Sequence, residues 1–117
     1  MTKYLILIAG TADEWNNATP ADRERWHQDH VTFGREVGDA ILGGEALDGP
    51  STATTLRRRT GSVELTDGPF AETAEQINGF YLVEAANLDQ VAKWCEMLPE
   101  IYSLEIRPCI RIEGLSD

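Results

Sequence analysis

The chain has 117 residues, with 10 Lys+Arg against 20 Asp+Glu, a formal net charge of −10, 42% hydrophobic residues, two Cys and two His. That length suits one domain over residues 1–117, and the apolar content is that of a folded chain rather than a disordered one. The acidic balance argues against unaided binding to nucleic acid or to an anionic membrane, because both need a cationic surface.

The longest apolar run, Tyr4–Ala9, is far short of the roughly 20 residues that a membrane-spanning helix requires. No charged n-region, apolar stretch and small-residue cleavage site open the chain, so the expected compartment is the cytoplasm. Cys95 and Cys109 lack the Cys-x-x-Cys spacing of zinc and redox sites and read as buried or half-buried free thiols.

In chain order, Lys3–Ala9 reads as a buried strand, and Thr11–Ala18 as a polar loop carrying Trp15. Thr19-Pro20 has the form of a helix start, Thr as N-cap and Pro at the first helical position. Trp26, His30, Phe33 and Val37 then recur at i, i+4, i+7 and i+11, one face of a helix that Gly38 closes. Ala40–Leu47 is a second strand, with Gly43-Gly44 allowing a bulge or a close backbone approach.

Thr52–Arg58 and Ser62–Thr66 flank Arg59-Thr60-Gly61 as a hairpin. Asp67-Gly68-Pro69 breaks the chain, and Phe70–Gln76 reads as a short turn or loop. Gly79–Ala85 is the next strand, and Asn87 caps a helix with the stripe Leu88, Val91, Ala92, Cys95 and Leu98, stopped by Pro99. Ser103–Ile112 is a last strand that Pro108 interrupts, which places it partly at an edge.

The order is β-α-β, hairpin, β-α-β, the split βαβ or ferredoxin-like plan with an inserted hairpin. One antiparallel sheet with both helices on one face leaves its other face bare, so a homodimer with facing sheets is expected, with a small-molecule ligand between helix, sheet and partner.

Leu65-Thr66-Asp67-Gly68-Pro69-Phe70-Ala71-Glu72, followed by Glu75-Gln76 and Gly79–Glu84, resembles the DGPF branch of the YCII-related family. Gly43-Gly44-Glu45, Pro50–Thr55 and Glu105-Ile106-Arg107-Pro108 extend the resemblance over nearly the whole chain. It implies a dimeric α+β barrel of ferredoxin-like subunits and a site built from a His on the first helix and an Asp in the central connection. Counted without gaps from Gly38 and Gly43-Gly44, these fall on His27 and Asp67; His30 takes the role if the helix register differs by a turn.

Such a pair is a general base with an orienting carboxylate. The plainer readings are a packed histidine for His30 and a turn-maker for Asp67. Glu45 follows the glycine pair and would share the site if it faces inward, and Phe70 suits a pocket or interface wedge. Arg57-Arg58-Arg59 is the one basic cluster, read as a solvated hairpin or an anion contact. His27 and His30 at i, i+3 find no third ligand by spacing, so no metal is expected, and no phosphate loop or nucleophile elbow suggests a cofactor.

Two functions stay open. One is a cofactor-free enzyme moving protons on a small organic molecule, of lyase, isomerase or dehydrohalogenase type. The other is a metabolite-binding or regulatory module, since DGPF proteins resemble partners of sigma-factor regulation.

Overall fold

The computed structural model describes residues 1–115. Its strands are β1 (Thr2–Gly10), β2 (Ile41–Ala46), β3 (Thr54–Arg59), β4 (Ser62–Asp67), β5 (Gln76–Ala85) and β6 (Ser103–Pro108). Its helices are α1 (Ala12–Asn16), α2 (Pro20–Val37) and α3 (Leu88–Cys95). Four strands form an antiparallel sheet in the order β2-β5-β1-β6, and β3-β4 form a separate ribbon. This is the expected ferredoxin-like α+β topology with its inserted hairpin.

Strand alternation sorts the sheet into two faces. Tyr4, Ile6 and Ile8 of β1 and Val83 and Ala85 of β5 are buried with Phe33 and Val37 of α2 and Val91 and Cys95 of α3. Ile6, Phe33, Val83 and Val91 are wholly inaccessible, and burying each such side chain stabilises the fold by about 1.5–3 kcal/mol. The opposite face pairs Leu5 with Leu82 and Leu7 with Phe80 across the β1–β5 ladder. All four are only half-buried.

The cap signals at helix starts hold. Thr19 accepts from the Asp22 backbone N–H, and Asp22 accepts from that of Thr19, a reciprocal capping box ahead of Pro20. Asn87 caps α3 by accepting from Gln90 N–H. Thr60 (φ 43°) and Gly61 (φ 82°) turn β3 into β4, the paired positive φ that suits a two-residue hairpin loop.

Several expectations need correction. The segment read as a loop from Thr11 contains helix α1, because Thr11 accepts from Glu14 N–H and donates to the Glu14 carboxylate. That Thr-x-x-Glu spacing is a capping signal in its own right. Helix α3 ends at Cys95 rather than running to Leu98, which is nonetheless buried, and Leu88 and Ala92 of the expected stripe are exposed. The last strand ends at Pro108, opposite Tyr4, rather than running to Ile112, although the Cys109 N–H still donates to the Lys3 carbonyl at 2.8 Å. Cys109 lies beyond it and is exposed, while Cys95 is buried and its thiol pKa is pushed up to about 11 by desolvation. Trp26 is buried with an indole N–H that has no partner among the described residues.

Candidate functional site

The site begins with a glycine. On the helix-covered face, the row across β2, β5 and β1 runs Gly44, Tyr81, Ile6. A Cβ on Gly44 would lie 2.8 Å from Tyr81 Cδ1 and 2.8 Å from the Phe80 carbonyl oxygen. The bare Gly44 Cα is therefore what lets the Tyr81 ring lie flat against the edge strand. The next row, Ala46, Gly79, Ile8, carries little side-chain volume, and the sheet is left with a depression there.

Helix α2 roofs this depression. Phe33 stacks on Tyr81 with centroids 4.6 Å apart, and one turn earlier His30 reaches the same ring from above. The His30 Nδ1 lies 2.7 Å from the Tyr81 hydroxyl. Tyr102, in the turn before β6, stands edge-on to His30 at 6.2 Å. Together they wall a cleft of about 320 Å³, which Gly44, Glu45 and Ile8 also line.

Electrostatics sharpen the roles. Desolvation lowers the His30 pKa from its ordinary 6.5, Asp29 opposes the shift and His27 adds to it. Desolvation raises the Tyr81 pKa, with Tyr102 adding to the rise, and burial raises that of Tyr102. Near neutral pH the cleft thus holds a neutral imidazole and two protonated phenols. A neutral imidazole bonded through one ring nitrogen can take or give a proton at the other, and a phenol donates to oxygen.

The residues expected from sequence distribute differently. His30 lies in the cleft wall. His27 is exposed on α2 and does not line the cleft. Asp67 is exposed at the end of β4, paired with Thr54 in the ribbon, followed by Gly68 at φ 104°. No hydrogen bond or ion pair joins His27 to Asp67 among the described residues. Glu45 borders the cleft but pairs across the ladder with Phe80, so alternation sends its side chain to the opposite sheet face. Phe70 is 79% exposed, and its carbonyl accepts from Arg57.

Tyr81 and Tyr102 were missed. The signal for Tyr81 was present: it alternates with Val83 in a strand whose inward positions face α2. Tyr102 precedes its strand, where alternation says nothing.

The fold and this cleft define an α+β subunit of ferredoxin-like topology, with a histidine–tyrosine cluster under its long helix. The chain belongs to the YCII-related family, whose domain pattern matches residues 2–112. An uncharacterised protein of Rhizobium meliloti (strain 1021) is 44% identical over 111 residues, 90% of each chain. Among solved structures, the fold is similar to that of 5-chloro-2-hydroxyhydroquinone dehydrochlorinase (TftG) from Burkholderia phenoliruptrix AC1100, determined in complex with 2,5-dihydroxybenzoquinone. That match has a TM-score of 0.51 and 15% identity, and it covers 98% of this chain and 99% of the other. No described helix is long and apolar enough to cross a membrane.

Proposed function

We propose that the protein is a cofactor-free acid–base catalyst acting on a small organic molecule in the cleft, with His30 as the proton carrier. The observation that carries this reading is the 2.7 Å contact between His30 Nδ1 and the Tyr81 hydroxyl in a half-buried cleft. With Nδ1–H donating to Tyr81 Oη, His30 Nε2 is free to accept a proton from a carbon next to a carbonyl. The C–H electron pair moves onto the carbonyl oxygen, and the Tyr81 hydroxyl proton is free to bond the oxyanion that forms. Tyr102 borders the same space as a second phenol donor. Return of the proton to another carbon gives isomerisation; departure of an anion instead gives elimination. The likeness to a dehydrochlorinase fold agrees with this class of step and goes no further.

The working unit of this reading is a homodimer, soluble in the cytoplasm, with the two open sheet faces apposed. Leu5, Leu7, Phe80 and Leu82 supply the apolar contact. The β3–β4 ribbon adds Leu56 and Leu65, a cross-strand pair 55% and 68% exposed. A two-stranded ribbon is marginal in water by itself. Its Arg58 makes no ion pair among the described residues, and the ribbon carries three arginines against Glu64 and Asp67 in a chain of net charge −10. A second copy of the acidic body is therefore its complementary surface.

The test of catalysis is solvent exchange. Cyclic hydroxyketones incubated in D₂O with the protein should take up deuterium about 10²–10⁴-fold faster than in buffer, and His30→Gln should abolish the gain. Equal exchange with wild type and variant would sink the mechanism. It would leave the alternative, a binding or regulatory module using the same cleft without turnover.

A further inference from the structure

A second cavity of about 590 Å³ opens beside the first. The two share Ala46, Asn78 and Tyr102, so they adjoin at Tyr102. The outer compartment is walled by Trp15, Leu47, Pro50 and Ile101. Its key wall is built before any ligand arrives. Trp15 lies 6.0 Å from Trp26 between ring centroids, the Arg23 guanidinium covers its ring at 4.9 Å, and Arg23 also donates to the Trp15 carbonyl at 3.1 Å.

The charges around this cleft are one-sided. Among the described residues, no Lys or Arg lines either compartment; Glu14 borders the outer one, and Glu45 borders the inner one with its side chain on the opposite sheet face. Arg23, beside the outer wall, is committed to Trp15. A carboxylate or phosphate entering here would lose its hydration without gaining a cation, and the Glu14 carboxylate would repel it. The inner end offers an imidazole and phenols, which bond neutral hydroxyl and carbonyl groups. Flat aromatic walls favour a planar ring over a flexible chain.

We infer that the two compartments form one binding site for an uncharged hydroxylated ring bearing an apolar substituent. The ring oxygen meets His30, Tyr81 and Tyr102, and the substituent fills the chamber of Trp15, Leu47, Pro50 and Ile101. This rests on the reading of the His30–Tyr81 cleft as the site and adds the class of molecule that it takes. Anionic acids, which the Arg57-Arg58-Arg59 cluster suggests from sequence, are excluded from the cleft because that cluster does not line it.

Calorimetric titration of the purified protein with phenol, 4-propylphenol and 4-hydroxybenzoate tests the inference without any turnover. The propyl compound should bind at least about tenfold more tightly than phenol, from burial of its alkyl carbons. 4-Hydroxybenzoate should bind more weakly than phenol. Leu47→Asp, at an exposed position that the core does not need, should remove the propyl preference. Equal affinity for the two phenols, tighter binding of the benzoate, no binding of either phenol, or a preference that survives Leu47→Asp would each overturn it. Propyl preference with His30-independent deuterium exchange keeps this inference and fails the catalytic reading. His30-dependent exchange without propyl preference does the reverse.

Discussion

His30 carries opposite demands: it must be buried enough to be held and wet enough to exchange protons. Desolvation lowers its pKa below the ordinary 6.5, so the folded state resists a proton that the unfolded chain accepts. Stability therefore stands at its plateau above about 6.5, falls as pH drops from there to the lowered folded value, and levels below it. Denaturant midpoints of wild type and His30→Gln between pH 4 and 8 should diverge through that window; parallel curves would contradict the shift. For catalysis the same direction means that kcat/KM rises with pH through an apparent pKa below 6.5. Gly44 is the second residue on which the site turns. Gly44→Ala forces its Cβ against the Phe80 backbone and the Tyr81 ring, and we expect a loss of about 1–3 kcal/mol in urea unfolding. Stability unchanged in that variant would show that the edge strand yields more easily than the contacts imply.

At the scale of elements, α2 places His30 because its start is fixed. The Thr19–Asp22 capping box anchors one end, and Gly38 at φ 59° releases the other. The Thr19 backbone hydrogen bond also holds the Asp22 carboxyl below its usual pKa, so this cap is present above the unfolded carboxylate value and lost as pH falls through the folded one. Thr19→Ala should cost about 1 kcal/mol, measurable by chemical denaturation, while the His30–Tyr81 contact, nearly three turns away, persists. Much of this level was legible in the chain: the Trp26, Phe33 and Val37 stripe is buried as its spacing says, and strands and helices follow one another in the expected order. Elements set by local chemistry were readable. Helix α1 went unread because its Thr11–Glu14 cap lies in a polar stretch with no apolar stripe. The His30–Tyr81 pairing was not readable either, since the partners are 51 positions apart and only the packing of α2 on β5 brings them together. The spacing that selected His27 counts along the helix. Packing selects by face, and His27 faces solvent.

The whole molecule measures 48 × 43 × 18 Å with a radius of gyration of 16.5 Å, against about 13 Å for a compact chain of this length. The thin dimension is one sheet and one layer of helices, and the long ones include a ribbon whose apolar side chains lie open. A flat body with an uncovered apolar sheet face is the observation behind the homodimer proposed above. Leu7→Glu, which sets a carboxylate beside Phe80 and in line with Glu45 and Glu105, should convert a dimer into a monomer in sedimentation equilibrium. A wild type that sediments at the mass of one chain would remove the dimer from the account and leave the cleft untouched.

The proposed proton transfer requires His30 to be a half-buried, neutral imidazole held in the cleft. Only two histidines are present, so a proton NMR titration of the imidazole signals, assigned with His27→Gln, measures it directly and needs no substrate. A His30 midpoint below 6.5 is expected. A midpoint at or above 6.5 would mean that the ring is solvated and free of the cleft, and the proposed proton carrier would be lost.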